Sequence, residues 1–447
     1  MKTAIIRTIV GAAALGALFN TPIYSAQGTE PKPLSLSPPA VPPPRRTDSV
    51  LTLDQAIDRV LDKHPDLRVF SYTEKSLRAA ADTAAQSPPL MAGATIENAL
   101  GTGEAARFNA AEITLTLASV LERGGKREAR QALATSRIDA LAMTREAKRL
   151  DLLAEVARRY LDVVAALAEQ RIAALDLAQR ERTLVAATQR VQAGASPESA
   201  RLTADAMRAR AELECDRARL ETEAALRRLA ILWGDRNAPA LTVAGDPLQL
   251  AEVSDFETLA KLLERTPELE RFAGEGRIRE ARLRLAQSAR APDIEWQIGV
   301  RRLQDLSAWG LIGSVSVPLG TSRRAEPGIR EAESELDALS LERESSELTL
   351  YATLAQAHGQ YRARKVEVER SRDEVLPRLG RAEAAAERAY RSGALSYLEW
   401  AQVQNETTAA RKQQLAAALD AQRALIEIQR LTGESLVRSP SAKETTP

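Results

Sequence analysis

The sequence has 447 residues, in which 62 lysines and arginines balance 61 aspartates and glutamates. The resulting net charge of +1 gives no electrostatic basis for binding nucleic acid. Aromatic residues make up only 4% of the chain and charged residues 28%, a composition that favours long helices over a thick globular core. The single cysteine, Cys215, excludes an intramolecular disulfide and is interpreted as a small helix-packing residue.

No motif for enzyme chemistry stands out in the sequence. The two histidines, His64 and His358, are far apart and have no partners at metal-ligand spacing. We find no glycine-rich phosphate loop, nucleophile elbow or zinc motif, and most carboxylates recur at the spacing of a solvated helix surface. We therefore expect no enzyme activity, no metal site and no cofactor.

The N-terminus has the pattern of a secretory signal peptide. Lys2 and Arg7 precede an apolar run over residues 9–19, and the small residues Ser25 and Ala26 follow it. This pattern predicts a cleaved signal peptide, and an uncleaved membrane anchor is the alternative. No later run approaches 18 continuous apolar residues, so no spanning helix is predicted for the mature chain.

The rest of the chain shows an internal duplication. The predicted segments are a signal peptide over 1–26, a proline-rich extended segment over 27–49, a first repeat over 50–234, a linker over 235–253, a second repeat over 254–433 and a flexible tail over 434–447. Each repeat has two short helices, two strands and one long helical hairpin. The strands are predicted within about 93–119 and 293–319, and the hairpins over about 126–233 and 328–431.

Helix boundaries follow from capping residues and prolines. Thr52 with Gln55 and Ser254 with Glu257 have the spacing of capping boxes that open the first helix of each repeat. The strands show a two-residue alternation, clearest at residues 112–117, 293–300 and 313–319, whereas residues 95–100 alternate less cleanly. The last hairpin is expected to bend at Pro377.

Both hairpins reverse at a glycine. Gly194 and Gly393 lie 199 residues apart, and each can adopt the left-handed conformation that ends a helix. Ser196 is the predicted N-cap of the return helix at the first tip. At the second tip, Ser396 and Glu399 have the spacing of a capping box.

The strands predict an amphipathic sheet that could face lipid. Their polar residues alternate with apolar residues, and those predicted to face lipid are Ile113, Leu115, Leu117, Ile294, Trp296, Ile298, Val315 and Val317. The alternative is a pair of soluble hairpins covered by helices, because half-buried strands show the same pattern.

Four strands cannot close a membrane barrel, because an open edge would leave backbone groups unsatisfied in lipid. If the strands cross a membrane, several chains must share one barrel, and three chains would supply twelve strands. Charges such as Arg130, Arg158, Arg182 and Arg210 recur along the long helices, so these helices must lie in water as packed bundles.

The combination of these features resembles the TolC-type outer-membrane efflux channel family. The resemblance covers roughly residues 50–435 and rests on the duplicated halves, the two strands per half and the hairpin tips. Residues 121–127, Leu-Glu-Arg-Gly-Gly-Lys-Arg, are similar to a segment of the heavy-metal (cobalt–zinc–cadmium) efflux subgroup. Residues 320–328 depart from the usual pattern of that subgroup, retaining only the preceding Pro318 and Leu319 and the final Gly328.

The resemblance implies a mainly α-helical fold with a membrane β part. A homotrimer would form a twelve-stranded barrel in the outer membrane of a Gram-negative bacterium, with outer-membrane lipid around it and a helical tunnel extending into the periplasm. The channel would be a passive conduit for heavy-metal cations, which an inner-membrane resistance–nodulation–division pump would deliver through a periplasmic adaptor protein.

The resemblance also implies site residues at the hairpin tips. The residues expected to contact the adaptor are Gly194, Ala195, Ser196, Pro197, Glu198, Ser392, Gly393, Ala394, Leu395 and Ser396. Glu399 matches an acidic position that lines the periplasmic constriction in several family members. Three such carboxylates would form a ring that favours cations, although the capping box alone would also explain Glu399.

Two other functions remain open at this point. The same channel could serve multidrug efflux or type I protein secretion. A periplasmic coiled-coil protein without a pore would share the helical pattern, but it would not need the amphipathic strands.

Overall fold

The structure is a computed structural model and describes residues 50–103, 106–108, 110–236 and 241–433. The predicted signal peptide, the proline-rich segment and the tail lie outside the described residues. The helices of the first repeat are α1 (Leu53–Lys63), α2 (Pro65–Ala84), α3 (Lys126–Gln192) and α4 (Glu198–Ala230), and its strands are β1 (Met91–Glu97) and β2 (Glu112–Leu121). Those of the second repeat are α5 (Phe256–Leu263), α6 (Pro267–Ser288), α7 (Thr321–Arg370), α8 (Leu376–Ser392), α9 (Tyr397–Thr432), β3 (Ile294–Leu303) and β4 (Ala308–Ser316).

The two repeats pack their cores in the same way. In the first, α1 lies against α3 and α4 around Val60, Val156 and Leu229. In the second, α5 lies against α7 and α9 around residues that include Ile428, which follows Leu229 by 199 positions. The apolar area buried in each core stabilises a helix hairpin that is otherwise rich in charge, and it joins the C-terminal end of the return helix to the longer helix.

One tyrosine of each repeat fixes the chain segment that crosses its core. The hydroxyl of Tyr160 in α3 lies within hydrogen-bond distance of the backbone oxygens of Leu51, at 2.9 Å, and Ala244, which share its single proton. The hydroxyl of Tyr361 in α7 donates to the backbone oxygen of Ala251. Burial raises the pKa of both tyrosines to about 12, so both hydroxyls remain donors throughout the physiological range.

Helix α3 of the first repeat packs against both α6 and α9 of the second repeat. Ala157 and Leu161 of α3 pack against Leu415 and Leu419 of α9 in a shared apolar cluster. Arg158 of α3 also reaches a carboxylate of α9 in an ion pair at 2.7 Å. None of the described helices combines the length and apolar character needed to cross a membrane.

Four antiparallel strands form one sheet in the order β1-β2-β3-β4. The two repeats meet at its centre, where β2 pairs with β3 from Glu112 opposite Leu303 to Leu121 opposite Ile294. The fold class predicted from the sequence, long helical hairpins with two strands per half, is confirmed.

Two strand boundaries predicted from the sequence are wrong. β1 ends at Glu97, because Asn98 and Leu100 have φ angles of 54° and 57° that leave the extended region. β4 begins earlier than expected, at Ala308 opposite Leu303, and ends at Ser316. Val317, which was predicted to face lipid from within a strand, therefore lies one residue beyond β4.

Several helix boundaries also differ from the prediction. The N-cap of α5 is Asp255, whose side chain accepts from the Thr258 N–H at 2.8 Å, so the predicted capping box at Ser254 and Glu257 is wrong. α7 begins at Thr321 and not near residue 328, and it keeps Pro327 inside. The Thr321 hydroxyl donates to the backbone oxygen of Arg290 at 2.8 Å, which ties the start of α7 to the end of α6.

The predicted bend at Pro377 takes the form of a widened turn. A π-helical segment, Ser371–Val375, separates α7 from α8, and Pro377 is the second residue of α8. Proline has no N–H and its ring clashes with the carbonyl four residues earlier, here that of Asp373. Widening the turn at that point accommodates the ring without ending the hairpin.

The segment 121–127 joins the sheet to α3. Asp293, one residue before β3, accepts a hydrogen bond from the Arg123 N–H at 3.1 Å and an ion pair from Lys126 at 2.7 Å. Gly124 has a φ of 76°, and a Cβ there would lie 2.5 Å from the Cβ of Ala291. This part of the sequence therefore has a structural role at the junction of sheet and helices.

Candidate functional site

The two hairpin tips turn through the glycines predicted from the sequence. Gly194 has a φ of 70° and Gly393 a φ of 85°. The Ala195 N–H then donates to the backbone oxygen of Arg190 at 2.9 Å, and the Ala394 N–H donates to that of Ala389, also at 2.9 Å. Both bonds satisfy carbonyls at the end of the incoming helix.

The capping box predicted at the second tip is confirmed. The Ser396 hydroxyl oxygen accepts from the Glu399 N–H at 3.3 Å, and the Ser396 N–H donates to a Glu399 carboxylate oxygen at 2.9 Å. The hydroxyl of Ser396 and its N–H, as donors, lower the pKa of the exposed Glu399 carboxyl. The carboxylate is therefore ionised at neutral pH and already engaged with its own helix.

The first tip is built differently from the prediction. Pro197 is the N-cap of α4, without a side-chain capping bond, so the prediction that Ser196 is the N-cap is wrong. The Ser196 hydroxyl oxygen instead accepts from the Arg190 Nε at 3.1 Å. Glu198 is exposed and pairs with Arg201 in the first turn of α4, at 2.5 Å.

Arg190 joins the two tips to each other. Its guanidinium donates to the backbone oxygens of Ala195 at the first tip, at 3.0 Å, and of Tyr390 at the second tip. It also lies over the Tyr390 ring, 4.9 Å from the centroid. Sequence reasoning missed Arg190, because the only local signal is an arginine in the last turn of a helix, and its partner lies 200 residues away.

An aromatic cluster lies beneath the second tip. Tyr390, Tyr397 and Trp400 are all at most 5% exposed, and the rings of Tyr390 and Trp400 lie 4.9 Å apart. Their two hydroxyls and the indole N–H have no hydrogen-bond partner within the part of the chain that the structure describes. Ring packing therefore holds this cluster together, at the cost of three buried polar atoms without a bond.

A buried polar layer lies farther from the tips, between α3 and α9. Arg180, whose side chain is 5% exposed, pairs with Asp176 at 3.2 Å and donates to the side-chain oxygens of Gln404, at 3.0 Å, and Asn405, at 2.7 Å. Gln404 in turn donates to Thr183 at 2.8 Å. These bonds fix which turns of the two hairpins face each other.

The predicted tip residues are thus brought together on one surface. Most are exposed, whereas Ser196 and Leu395 are partly buried. The groove between the two tips is lined by arginines, alanines and Tyr390, and it contains no carboxylate among the described residues. The tips offer a polar surface with a cationic groove and no arrangement suited to catalysis.

The sheet has one apolar face and one polar face. The strand register places the apolar residues on the same side, namely Ala92, Ala94, Ile96, Ile113, Leu115, Leu117, Leu121, Ile294, Trp296, Ile298, Val300, Trp309, Leu311 and Val315. Many are solvent-accessible in the single chain: Leu311 is 91% exposed, Val315 70% and Ile298 56%. Apolar exposure on this scale marks a surface that another apolar phase covers.

The polar face carries a charge cluster near the strand-connecting loops. Arg301 pairs with Glu112 at 2.8 Å and with Glu97 at 3.4 Å, and its Nε donates to the hydroxyl oxygen of Thr114 at 3.0 Å. Asn98 donates to the other oxygen of Glu112 at 3.1 Å. These bonds link β1, β2 and β3 across the face opposite the apolar side chains.

An amphipathic sheet joined to paired helical hairpins is also the fold of a solved outer membrane protein. The chain belongs to the outer membrane efflux protein family, whose sequence profile matches residues 56–235 and 258–434. The protein is therefore an outer-membrane efflux channel of the tripartite kind and not an enzyme.

Individual relatives agree with this assignment. The cobalt-zinc-cadmium resistance protein CzcC of Cupriavidus metallidurans is 25% identical over 313 residues, which cover 70% of this chain and 75% of CzcC. A membrane protein from Pseudomonas aeruginosa superposes with a TM-score of 0.71 at 21% identity, covering 85% of this chain and 90% of that one. The outer membrane protein VceC of Vibrio cholerae superposes with a TM-score of 0.69 at 18% identity, covering 85% of this chain and 96% of VceC.

Proposed function

We propose that three copies of this chain form one channel whose barrel contains twelve strands. The observation that carries the proposal is the four-stranded amphipathic sheet with its two outer strands, β1 and β4, each unpaired on one side within the described chain. Because the strand number per chain is even, β4 of one copy runs antiparallel to β1 of the next. Joining three sheets edge to edge would satisfy the backbone groups that lipid cannot bond.

The hairpin tips are the proposed contact with a periplasmic adaptor protein. They lie at the far end of the hairpins from the core helices α1 and α5, and they expose backbone and small side chains around Gly194 and Gly393. An inner-membrane pump would deliver cargo through the adaptor. The channel itself would contribute a path and a gate.

Glu399 is the proposed acidic residue of the periplasmic constriction. The carboxylate is exposed in the single chain, and its bonds to Ser396 keep it ionised. Three such carboxylates around one axis would attract cations and repel anions at the narrow end. The capping box does not compete with this role, since a carboxylate has acceptor capacity beyond the two bonds that it makes here.

Heavy-metal cations are the proposed cargo. The support is the relationship to CzcC, a cobalt-zinc-cadmium resistance protein, together with the acidic constriction. The junction segment 121–127 is weaker support, because its residues already have structural roles. Multidrug efflux is the alternative cargo class, and it is favoured by residues 320–328, which form the start of α7 without the usual subgroup pattern.

Two measurements test the proposal. The full-length protein, purified from outer membranes in detergent, should have a mass three times that of one chain and should conduct ions in planar bilayers. A strain that lacks the gene should lose tolerance to zinc, cobalt or cadmium and regain it from a plasmid copy. Recovery of the protein as a soluble monomer after osmotic shock would refute the channel, whereas drug sensitivity with unchanged metal tolerance would refute only the metal cargo.

A further inference from the structure

The apolar face of the sheet contains one charged side chain within the four described strands, Arg302 of β3. The strand register places it beside Ile113 on β2 and Trp309 on β4, at the end of the sheet next to the short turn between β3 and β4. A charged side chain in lipid is costly, so its position on this face calls for a partner or for a location at the membrane surface.

The neighbouring arginine, Arg301, makes ion pairs and a hydrogen bond that Arg302 does not make. Arg301 points to the opposite face and is bound by Glu97, Glu112 and Thr114. Arg302 makes no ion pair and no side-chain hydrogen bond with any residue that the structure describes. Its guanidinium carbon lies over the Trp309 ring, 5.5 Å from the ring centroid. With no acceptor among the described residues, the N–H donors of Arg302 can bind an external acceptor.

The location of the pair matches a membrane surface. The helices join the sheet at its opposite end, through α3 after β2 and α7 after β4. With the helices in the periplasm, Arg302 and Trp309 lie at the outer end of the apolar face. Trp309 is 70% exposed, and the adjacent Leu311 is 91% exposed. Tryptophan with a cation at the edge of an apolar band is the usual composition of a headgroup region.

We propose that Arg302 and Trp309 bind the phosphate of an anionic lipid headgroup in the outer leaflet. This rests on the proposed function, in which the apolar face contacts lipid. The guanidinium would hold two phosphate oxygens in its planar fork while the indole ring supports it from one side. Leu311 and Val300, next along the same face, would contact the acyl chains of that lipid.

The surrounding charges agree with an anionic ligand. The carboxylates nearest in the strands, Glu97 and Glu112, lie on the other face and are engaged by Arg301. Asp305, in the turn, accepts the Leu306 N–H at 2.7 Å and makes no ion pair with Arg302. The cation on the apolar face is thus not neutralised by any residue that the structure describes.

The test uses the full-length channel in phosphatidylcholine vesicles with and without phosphatidylglycerol. Native mass spectrometry after extraction counts the phosphatidylglycerol molecules retained per assembly, and unheated gels give the temperature at which the assembly dissociates. Wild type should retain phosphatidylglycerol and dissociate at a higher temperature with it. Arg302→Gln should retain about fivefold less, as expected for one arginine at a lipid surface.

Two further variants separate this site from general charge effects. Arg302→Lys keeps the charge but loses the planar fork, so it should retain an intermediate amount of lipid. Arg343→Gln removes an exposed arginine of α7, far from the sheet, and should behave as wild type. Equal retention by wild type and Arg302→Gln, or an equal loss in Arg343→Gln, would overturn the proposal.

The remaining outcomes are also decisive. If inorganic phosphate added to pure phosphatidylcholine vesicles stabilises wild type as phosphatidylglycerol does, the site binds free phosphate and the lipid assignment is wrong. If wild type neither inserts nor conducts in any vesicle, the channel proposal itself fails. Normal conductance of Arg302→Gln with reduced lipid retention supports the lipid site and leaves the channel intact.

Discussion

At the scale of single residues, Arg190 contributes most to the arrangement of the tips. It bonds a backbone oxygen on each tip, and its guanidinium has no carboxylate partner among the described residues. Its position therefore depends on the two tips staying together. Separation of the tips would break the bond to Tyr390 while the bonds to Ala195 and Ser196, on its own hairpin, would remain.

We predict that Arg190→Ala loosens the second tip from the first. Hydrogen bonds from charged groups contribute about 1.5–3 kcal/mol each, so the arrangement in which the two tips are joined should be measurably less populated. In planar bilayers the variant should show a larger basal conductance than wild type. Arg201→Ala, which removes an exposed ion pair at the same tip, is the control and should leave conductance unchanged.

Glu399 gives a second prediction at this scale. Glu399→Gln keeps the acceptor of the capping box but removes the charge, whereas Ser396→Ala keeps the charge but removes the cap. If the carboxylates form a ring, Glu399→Gln should lower the cation selectivity of the conductance and Ser396→Ala should not. A change of selectivity only in Ser396→Ala would leave Glu399 with the capping role alone.

The pH dependence of the cap follows from the same bonds. The pKa of Glu399 is lowered from its ordinary value of 4.5, so the contribution of the carboxylate to tip stability is complete above that value and is lost as the pH falls through the lowered pKa. A trimeric ring would act in the opposite direction, because three like charges raise one another's pKa. Conductance measured from pH 7 down to pH 3 distinguishes the two cases by the pH at which it changes.

At the scale of elements, the junction between sheet and helices shows that a motif shared with a subgroup can also have a structural role. Residues 121–127 resemble a segment of one substrate subgroup, and in the structure they hold the sheet and the helices together. Glu122 pairs with Arg130 at 2.5 Å, Lys126 pairs with Asp293, and Gly124 packs against the end of α6. A family that shares this junction would keep these residues whatever its cargo.

We predict that Gly124→Ala destabilises the junction. A Cβ would lie 2.5 Å from the Ala291 Cβ and 2.9 Å from the Ser288 backbone oxygen, at a φ that already disfavours a side chain. The expected loss is roughly 1–3 kcal/mol in the free energy of unfolding, seen as a lower midpoint in thermal denaturation. Gly234→Ala, at a φ of 81° with nothing within 4 Å, should cost only about 1 kcal/mol.

The sequence predicted the order of elements better than their ends. Long periodic patterns and the glycines at the tips identified the hairpins, because these signals are local. The start of α7 could not be predicted from the sequence, since Pro327 resembles a helix break. The hydroxyl of Thr321 in the first turn donates to the backbone oxygen of Arg290, which follows α6. Arg190 and Arg180 were missed for the same reason: each acts on residues about 200 or more positions away.

At the scale of the whole molecule, we expect the two faces of the sheet to differ in their tolerance of charged substitutions. Ile298 and Gln297 are neighbours in β3, both are exposed in the single chain, and they point to opposite faces. We predict that Ile298→Arg costs about 2–4 kcal/mol on membrane insertion, whereas Gln297→Arg is tolerated. The measurement is the fraction of protein recovered as assembled channel in the outer membrane.

Equal assembly of the two arginine variants would mean that the apolar face does not meet lipid. The covering phase would then be protein, as in a soluble sheet under helices. Loss of assembly in both variants would instead point to close packing on either side of β3. Only a difference between the two substitutions supports a membrane-facing surface.

The open edges of the sheet also have a genetic consequence. In the proposed trimer, the β1 and β4 edges of each described sheet would be bonded by the two neighbouring copies. A variant with a disrupted edge strand would prevent barrel closure in any trimer that contains it. In a cell producing equal amounts of wild-type and edge-defective chains, only roughly one trimer in eight would be wholly wild type, so under the proposed stoichiometry we expect the defect to be dominant.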